Sequence, residues 1–410
     1  MATWFLIVIY LAFISLGLPD SLLGSAWPVM QPDLGAPLES AGLLSMTIAA
    51  GTIVSSLASG KIIERLGTGL VTLISCLMTA GALLGFSFAP SLGWLVLLAI
   101  PLGLGAGAVD AGLNHYVATH YKAHHMSWLH CFWGVGATLG PILMSFFIKE
   151  HDSWRQGYTA VALIQFGLVV VLLATLPLWR KVAALHGEKD DGAAAIEPED
   201  AGLTPEELDL ARRQPKTPVH PLRLRGVKMS LLAFLFYCGV ETTVGLWGAS
   251  FLVGSRGVSA QTAAGWISLY YGGITLGRLI TGFITLKVNN RVLILAGQLI
   301  AALGALLLLI PLPDTLTLAG FMLIGIGLAP IYPGLLHETP ARFGRENSAR
   351  LMGYQMAVAY TGTTLLPPLF GVFAGLAGIG WFPAVSLLLV ALMLLSSEQV
   401  NRTLKLKKAT

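Results

Sequence analysis

Long apolar stretches constrain this chain more than any other feature of its sequence. A helix needs about 20 apolar residues to cross the hydrocarbon core of a bilayer, and hydropathy predicts about twelve such stretches here. They cover residues 4–30, 40–60, 68–88, 93–119, 127–148 and 157–179 in the first half, and 229–253, 262–285, 292–312, 316–337, 349–375 and 380–397 in the second. Only 11% of the residues are charged, against roughly 25% in soluble domains. The sequence therefore predicts an all-α membrane protein with about twelve transmembrane helices.

A polar, proline-containing stretch divides these segments into two groups of six. We predict an N-terminal six-helix bundle at 1–180, a cytoplasmic linker at 181–228, and a C-terminal six-helix bundle with a cytoplasmic tail at 229–410. Two such groups indicate two pseudo-symmetric halves. The chain starts without the basic residues of a secretory signal, so we expect its first apolar stretch to remain as a membrane helix.

The basic residues indicate how the helices are oriented. The chain has 25 Lys and Arg residues and a net charge of +4. If Met1 is cytoplasmic, nearly all of them fall on the cytoplasmic side; the exceptions are Lys149, Arg155 and Arg256 in outer loops and Arg278 within a helix. Cytoplasmic loops carry such an excess of Lys and Arg. We therefore expect a multi-pass protein of the cell membrane with both termini cytoplasmic, and the basic excess requires no nucleic-acid partner.

Acidic side chains inside the apolar stretches are the first functional candidates. Asp110 follows a glycine-rich apolar run, and a charge at that depth costs roughly 2.5–3.5 kcal/mol, so it should face a partner or a water-filled cavity. Asn114 lies four residues later, on the same face of a helix. Asp20 follows Pro19, which predicts a kinked or unwound first helix beside a cavity. The alternative for Asp20 is a position among the lipid headgroups at the end of that helix.

A second set of residues could contact a substrate. Glu241 lies inside the seventh predicted helix and is followed by Trp247; a carboxylate and an indole suit the hydroxyl edges and C–H faces of a sugar. The alternatives are an interhelical hydrogen bond for the acid and core packing for the tryptophan. Further candidates, each equally compatible with packing, are His130, Trp133, Tyr270, Tyr271, Tyr354 and Gln355. The three cysteines match no metal spacing, so we predict neither a metal nor a cofactor.

The first predicted cytoplasmic loop reads Gly60-Lys61-Ile62-Ile63-Glu64-Arg65-Leu66-Gly67. It resembles the loop signature of the major facilitator superfamily, in which the acid pairs across helix ends and latches one conformation. The resemblance implies that Gly60, Glu64, Arg65 and Gly67 form such a latch. In the second half Gly277-Arg278-Leu279-Ile280-Thr281-Gly282 keeps the glycines and loses the acid, which implies a structural role in the repeated motif for Arg278.

Within that superfamily, several stretches resemble the fucose permease and related sugar–proton symporters. They are Gly17-Leu18-Pro19-Asp20, Asp110-Ala111-Gly112-Leu113-Asn114, Tyr237-Cys238-Gly239-Val240-Glu241 and Tyr332-Pro333. The resemblance implies proton coupling or sugar binding at Asp20 and Asp110, and a sugar contact at Asn114. It also implies alternating access, a proton as the coupling ion, and a sugar or similar polyol as the substrate of a monomer embedded in a lipid bilayer.

Two other functional classes compete with that interpretation. Gly136-Ala137-Thr138-Leu139-Gly140-Pro141 partly resembles the glycine–proline motif of drug–proton antiporters, which makes an efflux antiporter for drugs or metabolites the alternative transporter. Small residues at this spacing also let membrane helices approach each other. A membrane enzyme would need a nucleophile–base pair or a metal site, and the sequence contains no such constellation.

Overall fold

The computed structural model of the protein describes residues 2–120, 123–190, 221–285, 287–311 and 313–409. These residues form α-helices, two short 3-10 helices and connecting loops, and no strand occurs within these ranges. In the first half the helices are α1 (Ala2–Asp20), α2 (Leu22–Asp33), α3 (Ser40–Leu66), α4 (Thr68–Phe88), α5 (Leu92–His120), α6 (Ala123–His151) and α7 (Trp154–Asp190). In the second half they are α8 (Val227–Arg256), α9 (Ala260–Ile284), α10 (Asn290–Leu309), α11 (Asp314–Leu328), α12 (Ile331–His337), α13 (Thr339–Phe343), α14 (Arg345–Ala377) and α15 (Phe382–Ala409).

Among the described residues, eleven helical segments are long and apolar enough to cross a membrane. The predicted eighth segment, 262–285, forms helix α9 but is not one of the eleven, because glycines, hydroxyl-bearing side chains and Arg278 reduce its hydropathy. Helix α9 nevertheless packs along α11 within the second bundle and along α6 of the first bundle. The prediction of an all-helical, multi-pass membrane protein is confirmed, with an eighth helix that is less apolar than the others.

The predicted linker contains the largest gap in the described chain. Helix α7 continues past the predicted end of the first bundle to Asp190, and α8 begins at Val227. Residues 191–220, most of the predicted linker, lie outside the described residues.

Two of the predicted membrane segments are broken into two helices. The first is interrupted at Ser21, between α1 and α2, directly after Pro19 and Asp20. This confirms the predicted break, since a proline inside a helix removes a hydrogen bond and clashes with the preceding turn. The tenth is interrupted at Ala329 and Pro330, between α11 and α12, a break that the sequence analysis did not predict.

The same helix pairs meet in both halves of the molecule. In the first bundle α3 packs on α5, α1 on α6, and α4 on both α5 and α7; in the second α9 packs on α11, α8 on α14, and α10 on both α11 and α15. These pairs are equivalent if each half repeats the same six-helix arrangement. The two predicted pseudo-symmetric bundles are therefore confirmed.

The two bundles pack closely at the end of the molecule that holds loops 34–39, 152–153 and 257–259, which we call the distal end. Here α2 contacts α8, and α3 contacts α14. A Cβ built on Gly42 would lie 2.7 Å from the Cα of Pro368, and one on Gly24 would overlap the backbone of Gly245. Contacts this tight leave no passage between these helix pairs at the distal end.

Two of the basic residues predicted on the outer side stabilise helix ends at the distal end. Arg155 donates to the carbonyl oxygen of Ala89, just after α4, at 2.7 Å. Arg256 donates to the carbonyl oxygens of Leu308 and Ile310, at the end of α10, at 2.7 and 2.8 Å. Unpaired carbonyls at a helix C-terminus carry partial negative charge and favour a cation. The equivalent helices α4 and α10 of the two halves therefore both have an arginine bound to carbonyl oxygens at their C-terminal ends.

Replacing Gly136 by Ala is expected to destabilise the first bundle. A Cβ at this position would overlap the carbonyl oxygen of Ile14, because α1 and α6 pack backbone to backbone there. Overpacking of this kind costs about 1–3 kcal/mol. Thermal unfolding of the purified protein measures the loss. Gly81→Ala in α4 is the matched control, because a Cβ there meets nothing within 4 Å; equal unfolding temperatures for both variants would contradict the packing.

Candidate functional site

A cavity of about 300 Å³ lies between the two bundles. Helices α1, α3, α5 and α6 line it from the first bundle, and α8, α9, α12 and α14 line it from the second. The lining residues are Phe13, Leu16, Asp20, Thr52, Ala106, Asp110, His130, Trp133, Cys238, Glu241, Arg278, Tyr332, Met356, Ala359, Tyr360 and Thr363. The cavity therefore brings together the three acids that the sequence analysis singled out inside apolar segments.

Asp20 reaches the cavity as the last residue of α1, next to the break at Ser21. The indole Nε1 of Trp133 donates to Asp20 Oδ2 at 2.8 Å. The helices approach closely here because Gly17 lies against α6, where any Cβ would overlap the carbonyl oxygen of Trp133. A hydrogen bond to an ionised carboxylate is stronger than one between neutral groups. Asp20 therefore lies at the interface of the bundles, and the alternative position among the headgroups is wrong.

The second bundle contacts the indole ring of Trp133 through Arg278. The guanidinium carbon of Arg278 lies 5.2 Å from the centroid of the indole ring, within the range of a cation–π interaction. Arg278 Nη2 lies 3.2 Å from Glu241 Oε1, and the two side chains are only 16% and 17% exposed. Tyr270 donates to the carbonyl oxygen of Glu241 at 2.9 Å. We call Asp20, Trp133, Arg278 and Glu241 the transverse chain, because these contacts run from α1 to α8 across the interface.

Arg278 is thus part of the cavity. The sequence analysis assigned it to the loop latch on the basis of the repeated glycine motif. The structure places it inside α9, as the helix prediction implied, where it pairs with Glu241 and lines the cavity. These two contacts were missed. The physical reason for the pairing is that a buried acid one helix away provides the partner that a guanidinium needs inside a membrane protein.

Asp110 lines the same cavity from α5. The side-chain amide of Asn114 donates to Asp110 Oδ1 at 2.9 Å and to the carbonyl oxygen of Asp110 at 2.9 Å. This confirms that the two residues share a face of the helix. Tyr332 and Tyr360 of the second bundle are close enough to Asp110 to interact with it electrostatically. Asn114 itself does not line the cavity, so its predicted sugar contact is replaced here by a bond to Asp110.

Three predicted substrate contacts do not line the cavity. Trp247 is fully buried, and its indole donates to the carbonyl oxygen of Pro367 at 2.8 Å. Gln355 is 1% exposed and bonds to Thr339 and Ser230. Tyr354 packs beside the apolar cluster around Val227 and Phe343. Their predicted positions at the cavity are wrong, because each side chain has its partners within the second bundle.

One further cavity residue was predicted from the sequence, and three others were missed. His130 lines the cavity as predicted and lies edge-on to Phe13, with 5.9 Å between ring centroids. Thr52, Tyr360 and Thr363 also line the cavity, but the sequence analysis did not single them out. The polar run from Tyr360 to Thr364 inside an apolar segment is the signal that could have indicated the last two.

The predicted latch lies where α3 meets α4, at the opposite end from the distal loops. Gly67 alone connects the two helices, and its φ of +79° is readily accessible to glycine. Glu64 and Arg65 are exposed. Within the described part of the chain neither forms an ion pair. The latch residues therefore have no ion-pair partner among the described residues.

At the same end of the second bundle the charges are paired. Arg342 lies 3.2 Å from Glu338 and donates to Asn401 Oδ1 at 3.2 Å. Arg291 lies 3.7 Å from Glu398. Burial lowers the pKa of Arg342, although Glu338 opposes the shift. Helices α10, α13 and α15 are therefore connected by charges at this end.

One family model matches the sequence of both halves of the chain. The model of the Major Facilitator Superfamily matches residues 9–259 and, a second time, residues 229–409. The chain belongs to the Major Facilitator Superfamily. The first match covers the first bundle and continues through α8, and the second covers the second bundle. The similar proteins that carry a functional name are transporters and not enzymes.

Curated relatives match this superfamily member at low identity. The glucose/mannose transporter GlcP of Bacillus subtilis (strain 168) is 23% identical over 248 residues, which cover 58% of this chain and 56% of the relative. Bypass of stop codon protein 6 of Saccharomyces cerevisiae is 24% identical over 318 residues, 72% of this chain and 62% of that protein. This chain therefore spans about three fifths of the length of the curated relatives that it matches.

Solved structures of transporters share the superfamily fold. The peptide transporter POT in complex with sulfate has a TM-score of 0.70 at 16% identity, covering 97% of this chain and 95% of that one. The xylose transporter XylE from E. coli, in a partially occluded inward-open conformation, has a TM-score of 0.68 at 14% identity, covering 94% and 95%. At these identities the likeness shows the fold alone.

The glycine–proline motif of this superfamily member has a packing role. Gly136 and Gly140 both lie against the backbone of α1, at the carbonyl oxygens of Ile14 and Leu18. The partial resemblance to drug–proton antiporters therefore coincides with a close helix contact inside the first bundle. No group of three or more His, Cys, Asp or Glu side chains that could hold a metal occurs in the part of the chain that the structure describes.

Replacing Trp133 by Phe tests the central contact of the transverse chain. Phe keeps an aromatic face for Arg278 but removes the donor to Asp20. A hydrogen bond to a charged group contributes about 1.5–3 kcal/mol, and we expect a loss of stability in that range, measured by chemical or thermal unfolding. Trp94→Phe is the control, because Trp94 is 52% exposed on the bundle surface. A Trp133→Phe variant as stable as this control would argue against the contact.

Proposed function

We propose that this protein is a secondary active transporter that couples the entry of a proton to the symport of a sugar or a similar polyhydroxylated solute. The observation that carries the proposal is the placement of Asp20 and Asp110 on the wall of a cavity between two pseudo-symmetric bundles. Transporters of this kind bind their substrate midway between the two repeats, which rock around the site.

The charges of the cavity support a role for protons. Three carboxylates face it, together with one guanidinium. Arg278 pairs with Glu241, whereas Asp20 and Asp110 form no ion pair among the described residues. An ionisable group inside a membrane protein with no partner of opposite charge is a candidate proton carrier. We therefore assign the coupled proton to Asp20 and Asp110, and a substrate contact to Glu241.

The other groups around the cavity support a hydroxylated substrate. Trp133, Tyr332 and Tyr360 provide aromatic faces, and Thr52, Thr363 and His130 provide hydrogen-bonding groups. Sugars present C–H faces and hydroxyl edges, which these two kinds of group can bind. The similarity to a glucose/mannose transporter supports the same class. We assign substrate binding to His130, Trp133 and Glu241. We also propose that the transporter works as a monomer and without a cofactor.

The packing of the bundles suggests how access alternates. Close contacts at the distal end separate the cavity from that side. At the other end the latch residues Glu64 and Arg65 form no ion pair with any residue that the structure describes. We propose that the opposite state breaks the α2–α8 and α3–α14 contacts and pairs Glu64 or Arg65 across the bundles. With both termini in the cytoplasm of the cell, the present structure is then the state closed to the outside.

A binding screen tests the substrate class. Ligands that bind only the folded state stabilise it, by about 2.7 kcal/mol at a concentration 100 times Kd. We expect hexoses, pentoses or polyols to raise the unfolding temperature of the purified protein, and the Glu241→Gln variant to lose the shift. If only amphipathic cations stabilise it, the sugar assignment is wrong and the efflux antiporter gains support.

A further inference from the structure

A second cavity, outside the interface of the bundles, lies at the end opposite the distal loops, between the start of α8 and the end of α15. Its volume is about 780 Å³, and it is open to the surroundings. Arg223, Arg225 and Lys228 line it, together with Gln399 and Thr403 from α15. Nothing in the proposed transport cycle uses these residues.

The three cations have no acidic partner in the part of the chain that the structure describes. Each is exposed, and among the described residues none forms an ion pair. The start of α8 adds to the positive potential, because Gly226 is its N-cap and the first amides of a helix favour anions. The pocket is therefore cationic without a compensating charge on its described wall.

The pocket also lies where two candidate membrane spans end. Candidate membrane spans begin at Val227 and end at Leu404, so the residues on both walls lie where two spans leave the hydrocarbon. Leu222, Leu224 and Met229 line the same pocket, and their apolar side chains suit the first carbons of an acyl chain. A free phosphate would gain nothing from these three side chains.

We propose that this pocket binds the headgroup of an anionic phospholipid. Arg223, Arg225 and Lys228 contact the phosphate and any further anionic group, and the apolar residues contact the glycerol backbone and the upper acyl chains. Basic pockets beside membrane helices recognise anionic headgroups in this way. The site is separate from the transport cavity, so the proposal does not depend on the identity of the substrate.

Native mass spectrometry of the detergent-purified full chain tests the proposal. The probes are dioleoyl phosphatidylglycerol, dioleoyl phosphatidylcholine and inorganic phosphate. We expect preferential binding of phosphatidylglycerol, weakened about 100-fold in the Arg223→Gln, Arg225→Gln, Lys228→Gln variant, because three basic contacts are lost. The control variant Lys61→Gln, Lys287→Gln removes two exposed charges from the same end, away from the pocket, and is expected to bind normally.

Each other outcome overturns the proposal. If both variants bind phosphatidylglycerol equally weakly, the lipid is attracted by the overall positive charge of this end and not by the pocket. Competition by inorganic phosphate at the same concentration as the lipid would make the site a phosphate site. Failure of the wild type to bind any probe would mean that another part of the chain covers the pocket. If the triple variant folds poorly, the wild-type protein is instead cross-linked to a photoreactive phosphatidylglycerol. Labelling of residues 222–229 supports the site, and labelling only of other residues refutes it.

Discussion

Replacing Asp110 by Asn is expected to abolish accumulation of the substrate against its gradient. One proton that crosses a potential of 100 mV contributes about 2.3 kcal/mol, enough for roughly 50-fold accumulation. Asn keeps the shape of the side chain and the bond to Asn114 but cannot exchange a proton. The steady-state ratio of inside to outside substrate in energised vesicles should therefore fall to about one, while exchange of labelled for unlabelled substrate continues.

Asp314→Asn is the matched control for this prediction. It removes an exposed carboxylate at the start of α11, away from the cavity. We expect this variant to accumulate substrate like the wild type. Undiminished accumulation by Asp110→Asn would remove Asp110 from the coupling mechanism and leave Asp20 as the carrier.

Replacing Arg278 by Met is expected to cause the largest loss of stability. The change leaves Glu241 inside the protein without its partner, and removing one member of a buried ion pair costs about 3–5 kcal/mol. Part of this cost should be recovered when Glu241→Gln is added, because the unpaired charge is then gone. Chemical unfolding of the four proteins of this double-mutant cycle gives the coupling energy of the pair.

The double variant also separates the structural role of the ion pair from its role in substrate binding. We expect the Arg278→Met, Glu241→Gln double variant to fold and to bind substrate weakly, since it retains the shape of the cavity but has lost both charges. Additive effects of the two substitutions on the free energy of unfolding would contradict the ion pair.

The sequence alone predicted the bundle architecture because each membrane helix has its own hydropathy signal. The break after Asp20 could be predicted from Pro19, and the shared face of Asp110 and Asn114 from their spacing. The break at Pro330 was missed because the surrounding residues are apolar enough to read as one helix.

The cavity lining could be predicted only where a charge marks it. In a membrane helix the lipid-facing and core-facing sides are both apolar, so periodicity does not show which way an aromatic side chain points. Trp133 and Trp247 therefore look alike in the sequence, yet the first bonds to Asp20 and the second to a backbone carbonyl. The partner of Arg278 depends on how α8 and α9 pack, and the local glycine motif gives no sign of Glu241.

External pH during substrate addition shows whether protons enter together with the substrate. The protein is reconstituted into liposomes in weakly buffered medium, and a sugar that stabilises it in the binding screen is added outside. The account predicts that the medium becomes more alkaline as substrate and protons enter together, and that Asp20→Asn, Asp110→Asn liposomes give no signal. Substrate uptake without a change in pH, or acidification of the medium, would contradict the assignment of the coupled proton to these two carboxylates.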